Sequence, residues 1–301
     1  MLAQASGALI IAVIVAIAGF LLWRAIPALH RNHENFLSYS GAWITDSPVM
    51  HFGISELLGV TVFVSLFALA LAMPVALGVA IFITQYSSGR VAGLLSYAVD
   101  LLAAVPSIIY GAWGLYVLAP QLSPIATWLN RFMGWFLLFA GDGVSVAGGG
   151  TIFTGGIVLA VMILPIITAV TREVFIQVPH EQIEASLALG ATRWETVKTV
   201  VLPFGRSGYI SGAMLGLGRA LGETMALLIV LHGTQKAFGW SVFDGGSTFA
   251  TKIAAAAAQF DDRYQAGAYV AAGLTLFALT FLVNALSRGV VAGVGSRRGN
   301  R

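Results

Sequence analysis

Six stretches of the chain stay apolar for long enough to cross a bilayer. A hydrocarbon core about 30 Å thick takes about 20 helical residues at 1.5 Å each. Runs of that length occur at residues 7–29, 58–84, 91–119, 152–171, 208–232 and 267–286. The first lacks a basic leading region and its apolar run is too long for a signal peptide, so it reads as a span. The stretch 127–140 (TWLNRFMGWFLLFA) is too short to cross. Its Trp128, Arg131 and Trp135 suit the headgroup level, which predicts an interfacial or re-entrant helix and no seventh span. The glycines at 148–150 read as a hinge into the fourth helix. The pattern predicts an all-α polytopic membrane protein with six transmembrane helices.

Composition excludes the soluble alternatives. Of 301 residues, 58% are hydrophobic and only 10% charged, with a mean hydropathy of +0.87, whereas soluble domains run to ~45–50% apolar and ~25% charged. With no cysteine, disulfides, thiolate metal sites and cysteine nucleophiles are ruled out. The net charge of +3 does not point to nucleic acid, because the 16 basic residues are scattered between apolar runs and form no phosphate-tracking stripe. Loop by loop they are biased. Arg90, Arg172, Arg193, Lys198, Arg206, Arg288, Arg297, Arg298 and Arg301 fall on one side, against Arg24, Arg31, Arg131, Lys236, Lys252 and Arg263 on the other. The side richer in Lys and Arg faces the cytoplasm, which predicts both termini inside, although the N-terminal MLAQASG has no basic residue of its own.

The loop 172–206 (REVFIQVPHEQIEASLALGATRWETVKTVVLPFGR) is more than a connector. Pro179 suits a helix first turn, and Glu181 and Glu184 follow where the helix dipole favours acids. Ile183 and Leu187, with Val178 or Leu189, give an apolar side. Gly190 ends this helix, Thr192 caps a second carrying Trp194, Val197 and Val201, and Pro203 is expected to stop it. Two short amphipathic helices hinged at a glycine suit either docking to a soluble partner or lying on the membrane surface. His180-Glu181 begins an HExxH-like string, but no second histidine lies one turn on, so no zinc protease site is present.

The fifth stretch carries charge into the membrane. Arg219 lies about 16 Å along it, near the midplane, with Glu223 one turn further. A charge there costs at least about 2.5–3.5 kcal/mol on insertion scales, so it is expected to face protein or water. At about 100° per residue, both fall on the face of Gly208, Gly212, Gly216 and Ala220, a small-residue packing stripe. One reading is a structural i,i+4 bridge. The other puts Arg219 on the path of an anion, its planar fork matching phosphate-like oxygens, with Glu223 moderating the grip.

Several motifs carry a resemblance. Glu184-Ala185-Ser186, then Gly190, then Leu202-Pro203, resembles the EAA loop of ABC importer permeases, with Ser186 for the usual second alanine and Val200 for the usual isoleucine. The run 218–226 (GRALGETMA) is similar to the signature of the phosphate-importing members of that family, the PstC type more than the sister PstA type. The run 100–111 (DLLAAVPSIIYG) is similar to the family's third-span segment. The resemblance implies a type I ABC importer permease core over 58–290 with its coupling loop at 172–206. The first span and external loop (1–57) precede it and a basic tail (291–301) follows. It implies that Glu184, Ala185, Gly190, Leu202 and Pro203 couple to an ATP-binding subunit (PstB-like), and that Arg219 and Glu223 serve phosphate passage. Partners implied are a second permease (PstA-like), a periplasmic phosphate-binding protein (PstS-like) and the lipid bilayer.

Other polar positions are less specific. Ser107 and Tyr110, beside Pro106, are candidate donors to an anion. Asp100 is expected to have a structural role, either paired with a basic group on another helix or placed at the water boundary. Pro74, Pro106 and Pro165 each interrupt a span, and the last external loop, with Lys236, Lys252 and Arg263, suits either solvent or a binding protein. No G-x-x-x-x-G-K-[ST] occurs, so ATP hydrolysis falls to separate subunits; no cofactor is implied and the chain reads as a transport subunit, not an enzyme. Rival readings are an ABC permease for sulfate, molybdate or phosphonate, and a secondary transporter. An intramembrane enzyme would need a catalytic constellation that the sequence lacks.

Overall fold

A computed structural model describes residues 2–45, 47, 49–141, 150–232, 238–260 and 262–296. Gly148, Gly149, Lys236, Arg297, Arg298 and Arg301 lie outside them. Twelve helices follow in order among the described residues: α1 (Leu2–Arg31), α2 (Ser55–Ile81), α3 (Gly89–Ala104), α4 (Ser107–Trp113), α5 (Ala119–Met133), α6 (Ile152–Ile176), α7 (His180–Ala188), α8 (Arg193–Thr196), α9 (Leu202–Leu221), α10 (Met225–Val230), α11 (Phe249–Ala256) and α12 (Arg263–Ser296). A π-helical turn extends α2 to Tyr86, and others join α4 to α5 and α8 to α9.

Among the described residues, four helices are each long and apolar enough to cross a membrane: Gln4–Arg31, Ser55–Tyr86, Ile152–Ile176 and Arg263–Gly289. They coincide with the first, second, fourth and sixth expected spans. The third expected span differs. Residues 91–119 are not one helix, because Gly89–Ala104 and Ser107–Met133 meet at 91°. Val105 is extended (ψ 130°) and Pro106 follows it, as expected where a proline restricts the residue before it. The sixteen residues of α3 reach only about 24 Å, while Ser107–Met133 reaches about 40 Å, so the crossing belongs to the second arm. Residues 127–133 are therefore the end of that long helix. No separate interfacial helix occupies 127–140; beyond Met133 only a short 3-10 turn, Leu137–Phe139, follows.

The fifth expected span is also interrupted. α9 stops at Leu221, three residues lie outside any helix, and α10 resumes at Met225. At its other end α9 is longer than expected, because the helix does not stop at Pro203. It runs unbroken from Arg193 to Leu221 through the π-turn Val197–Val201. A proline lacks the N–H donor, and a widened turn just before it removes the need for that bond.

The core is the triple contact of α2, α6 and α9. Ala68, Ala72, Ala76 and Ala80 line one face of α2 and are buried, four residues apart as one helix face requires. Gly205, Gly208, Gly212 and Gly216 give α9 a surface without side chains, filled by Phe175, Val174, Val170 and Ile167 of α6. Without a hydrophobic force between helices in lipid, such close backbone approach is what holds them together. α1 packs chiefly on α12, where Gly267 meets the backbone of Arg24 and the side chain of Ala28. The rest of α1, including Leu9, Ile11, Val15 and Trp23, is exposed and apolar, a surface suited to acyl chains.

Candidate transport path and coupling lever

The break in the fifth span follows from its sequence. Gly218 and Gly222 weaken the helix, and Glu223 takes over a backbone donor. Its carboxylate, 7% exposed, accepts from the Ala226 N–H at 3.0 Å, in the first turn of α10. Arg219 is exposed. Among the described residues no ion pair joins Arg219 to Glu223, so the i,i+4 bridge is absent. The two also do not share the glycine face. Gly208, Gly212 and Gly216 are closed against α6, and a Cβ on Gly216 would already meet Ile167 at 2.9 Å. A guanidinium finds no room there, and Arg219 turns to the open side with Leu215 and Gly222, spaced at i, i+4 and i+7 along one face.

Tyr110 lies beside this break. It is buried on α4 and its hydroxyl donates to the Leu102 carbonyl at 2.8 Å. Its neighbour Gly111 lets α4 lie against the break, since a Cβ there would come within 2.9 Å of the Ala226 Cα. Ser107 is half-buried, one turn before Tyr110. Asn284 of α12, which pattern reading passed over, brings its Oδ1 to 4.0 Å from where a Cβ on Gly218 would stand. An exposed amide inside an apolar helix was the signal available for it.

The lever is built from locally satisfied parts. Gly190 has φ +88°, with nothing within 4 Å of an added Cβ, so it ends α7 in the left-handed region that other residues adopt at a cost. Thr192 and Glu195 form a reciprocal capping box, which holds the Glu195 carboxyl below its ordinary value through the Thr192 backbone N–H and then its hydroxyl. Ser186, the departure from the usual alanine, places its Oγ 3.0 Å from Thr196 Oγ1 and ties α7 to α8. Ile183 turns inward with Phe175, Val178 and Val197. Glu184, Ala185, Leu187, Leu189 and Trp194 are exposed, Leu189 by 90%. Leu202 and Pro203 line a groove of about 490 Å³ where α2, α6 and α9 meet.

At the opposite end Lys252, Arg31 and Arg263 are engaged within the chain. Lys252 is half-buried 5.8 Å from the Trp43 ring, and burial holds its ammonium below the usual lysine range against the pull of Glu56. Arg31 and Arg263 both stack on Tyr264. On the lever side, Asp100 lies 3.5 Å from Arg172 of α6, the first of the two placements expected for it.

Comparison with known proteins gives these parts a context. The family described as "Binding-protein-dependent transport system inner membrane component" matches residues 72–295. The phosphate transport system permease protein PstC 2 of Mycobacterium tuberculosis is 55% identical over 291 residues, covering 97% of this chain and 90% of that protein. PstC of Mycobacterium leprae is 58% identical over 274 residues, covering 91% and 86%. PstC of Xylella fastidiosa is 37% identical, covering 100% and 91%. Among solved structures, the inward-facing MetNI methionine ABC transporter superposes with a TM-score of 0.56 at 16% identity, over 80% of this chain and 95% of that one. A bacterial ABC transporter for the acidic polysaccharide alginate gives 0.54 at 15%, over 79% of each. At these identities the likeness is one of fold.

Proposed function

The chain belongs to the family of binding-protein-dependent transport system inner membrane components, and from that premise we propose that it is the permease subunit of an ATP-driven phosphate importer. It is a multi-pass inner-membrane protein that works with an ATP-binding subunit and a substrate-binding protein. In the finer reading these are PstB-like and PstS-like, a PstA-like permease supplies the other half of the path, and both termini lie in the cytoplasm. The observation that carries the reading is the pairing of an outward-turned Arg219 at a helix break with an exposed lever at the far end of the same unbroken helix.

In this reading the ATP-binding subunit grips α7 around Glu184, Ala185 and Gly190, with Leu187, Leu189 and Trp194 as its apolar contacts. Closure on ATP displaces α7 and α8, and the helix from Arg193 to Leu221 carries the displacement past Leu202 and Pro203 to the break. The binding protein supplies affinity for the anion. Arg219 provides a fork for its oxygens, Tyr110 and Ser107 lie along the way, and the buried Glu223 carboxylate keeps the stop weak by repulsion. The second permease closes the open side of α9, which in this chain alone is half a wall.

The test is reconstitution of the complete complex in vesicles with labelled phosphate. Import that requires ATP and is suppressed by excess phosphate, but not by sulfate, molybdate or phosphonate, is the expected result. Suppression by one of those anions would move the assignment to it, and import without ATP would favour a secondary transporter.

A further inference from the structure

The elbow helix α3 is fastened near its C-terminus by two contacts, one to each side of the bend. Near its C-terminus, Asp100 meets Arg172 Nη2 at 3.5 Å. Arg172 is on α6, close to where that helix leads into the lever, and its side chain is only 14% exposed. Its other terminal nitrogen, Nη1, is enclosed with no hydrogen-bond partner among the described residues. A guanidinium so enclosed depends on the one carboxylate it has. Two residues after Asp100, the Leu102 carbonyl accepts the Tyr110 hydroxyl at 2.8 Å. Tyr110 and Gly111 start the arm that lies against Ala226, whose N–H is held by Glu223. Lever-bearing helix, elbow and membrane break are thus joined by two polar contacts and one glycine contact, with the 91° bend between them.

We propose that Asp100 and Arg172 form a strut, a pair of positioning residues that makes α3 move as one body with the lever end of α6 and carries that motion through Tyr110 to the Glu223 break. The inference rests on the reading of α7 as an ATP-driven lever. It adds a second mechanical route to the path, independent of α9. The pair touches no substrate, and its effect is on how much transport each ATP yields.

The chain has no cysteine, so in a complex whose partner subunits are also freed of cysteine two spin labels report on this chain alone, placed by L94C on α3 and I176C at the end of α6, residues 68% and 60% exposed. The full complex is measured without nucleotide and with ATP. In the parent the label separation stays constant. In Asp100→Asn, a conservative change at a side chain more than half exposed, ATP shifts it and phosphate imported per ATP falls about tenfold, within the usual range for coupling between sites. The swap D100R with R172D restores both. A separation that shifts with ATP in the parent, or an Asp100→Asn variant matching the parent in both readouts, overturns the strut. The distance is read with ATP alone, so a complex that moves as expected but imports a different anion overturns the phosphate reading and leaves the strut intact.

Discussion

The lever and the break are both short interruptions of helix rich in polar residues, and they are held in opposite ways. In the lever the polar groups satisfy one another: Thr192 with Glu195, Ser186 with Thr196. Beside its exposed charges the lever turns large apolar side chains outward, Leu187, Leu189 and Trp194. At the break the polar groups do not close on each other. Glu223 is buried on a backbone N–H and Arg219 is turned out, with no ion pair between them. A self-sufficient shape with an apolar tip awaits a protein surface. An uncompensated charge at membrane depth awaits either a ligand or the rest of its own cavity.

That contrast makes different substitutions fatal in different ways. The largest effect belongs to the break: Arg219→Gln lowers vesicle uptake at least about a hundredfold, the scale of losing a charged hydrogen-bonding partner worth about 3 kcal/mol, while the complex still purifies intact. Full uptake in that variant would place the anion elsewhere. An intermediate effect belongs to the hinge. Gly190→Val forces a β-branched residue into positive φ at a cost of about 1–2 kcal/mol, and phosphate moved per ATP falls about tenfold as the lever tilts in its docking site. Unchanged stoichiometry would mean that the turn, and not its angle, is all the partner needs.

The smallest effect is a pH effect on the cap. The Glu195 carboxyl is held below its ordinary 4.5 in the folded lever, so the cap's contribution is complete above about that pH and is lost as pH falls through the lower, folded value. Amide exchange at Thr192 and Glu195, corrected for intrinsic rates, loses protection over that acid window. Thr192→Ala removes the cap at all pH values, so its protection is low throughout and shows no such step. A step of the same size in Thr192→Ala would assign the transition to another carboxylate.

The contrast also separates what the residues disclosed from what they did not. The lever is local, so the cap residues, the glycine and the apolar positions lie within a few turns of one another and their spacing was readable. Its far limit was not: Pro203 looks like a stop, and only the π-turn before it explains why the helix continues. The bend was hidden for a related reason. Pro74 and Pro165 sit inside helices that run on, while Pro106 turns the chain through 91° in an equally apolar run. The difference is the Leu102 carbonyl, which finds a partner in Tyr110 eight residues later, a contact made in space that no periodicity records. The break escaped the wheel argument because a wheel assumes continuity. Once Gly222–Thr224 leave the helix, the phase between Arg219 and Glu223 no longer holds, and Asn284 enters from a segment sixty residues away.

The unbroken rod from Arg193 to Leu221 has one more consequence. It passes from the exposed capping box at Thr192 to the break at Gly222 through one widened turn, Val197–Val201, with Pro203 just after it. In the proposed reading a push at Trp194 meets its first joint at that π-turn. Beyond it α9 is seated on α6 through Gly205, Gly208, Gly212 and Gly216, so the two helices travel as a pair and Gly222–Thr224, outside any helix, take up what remains.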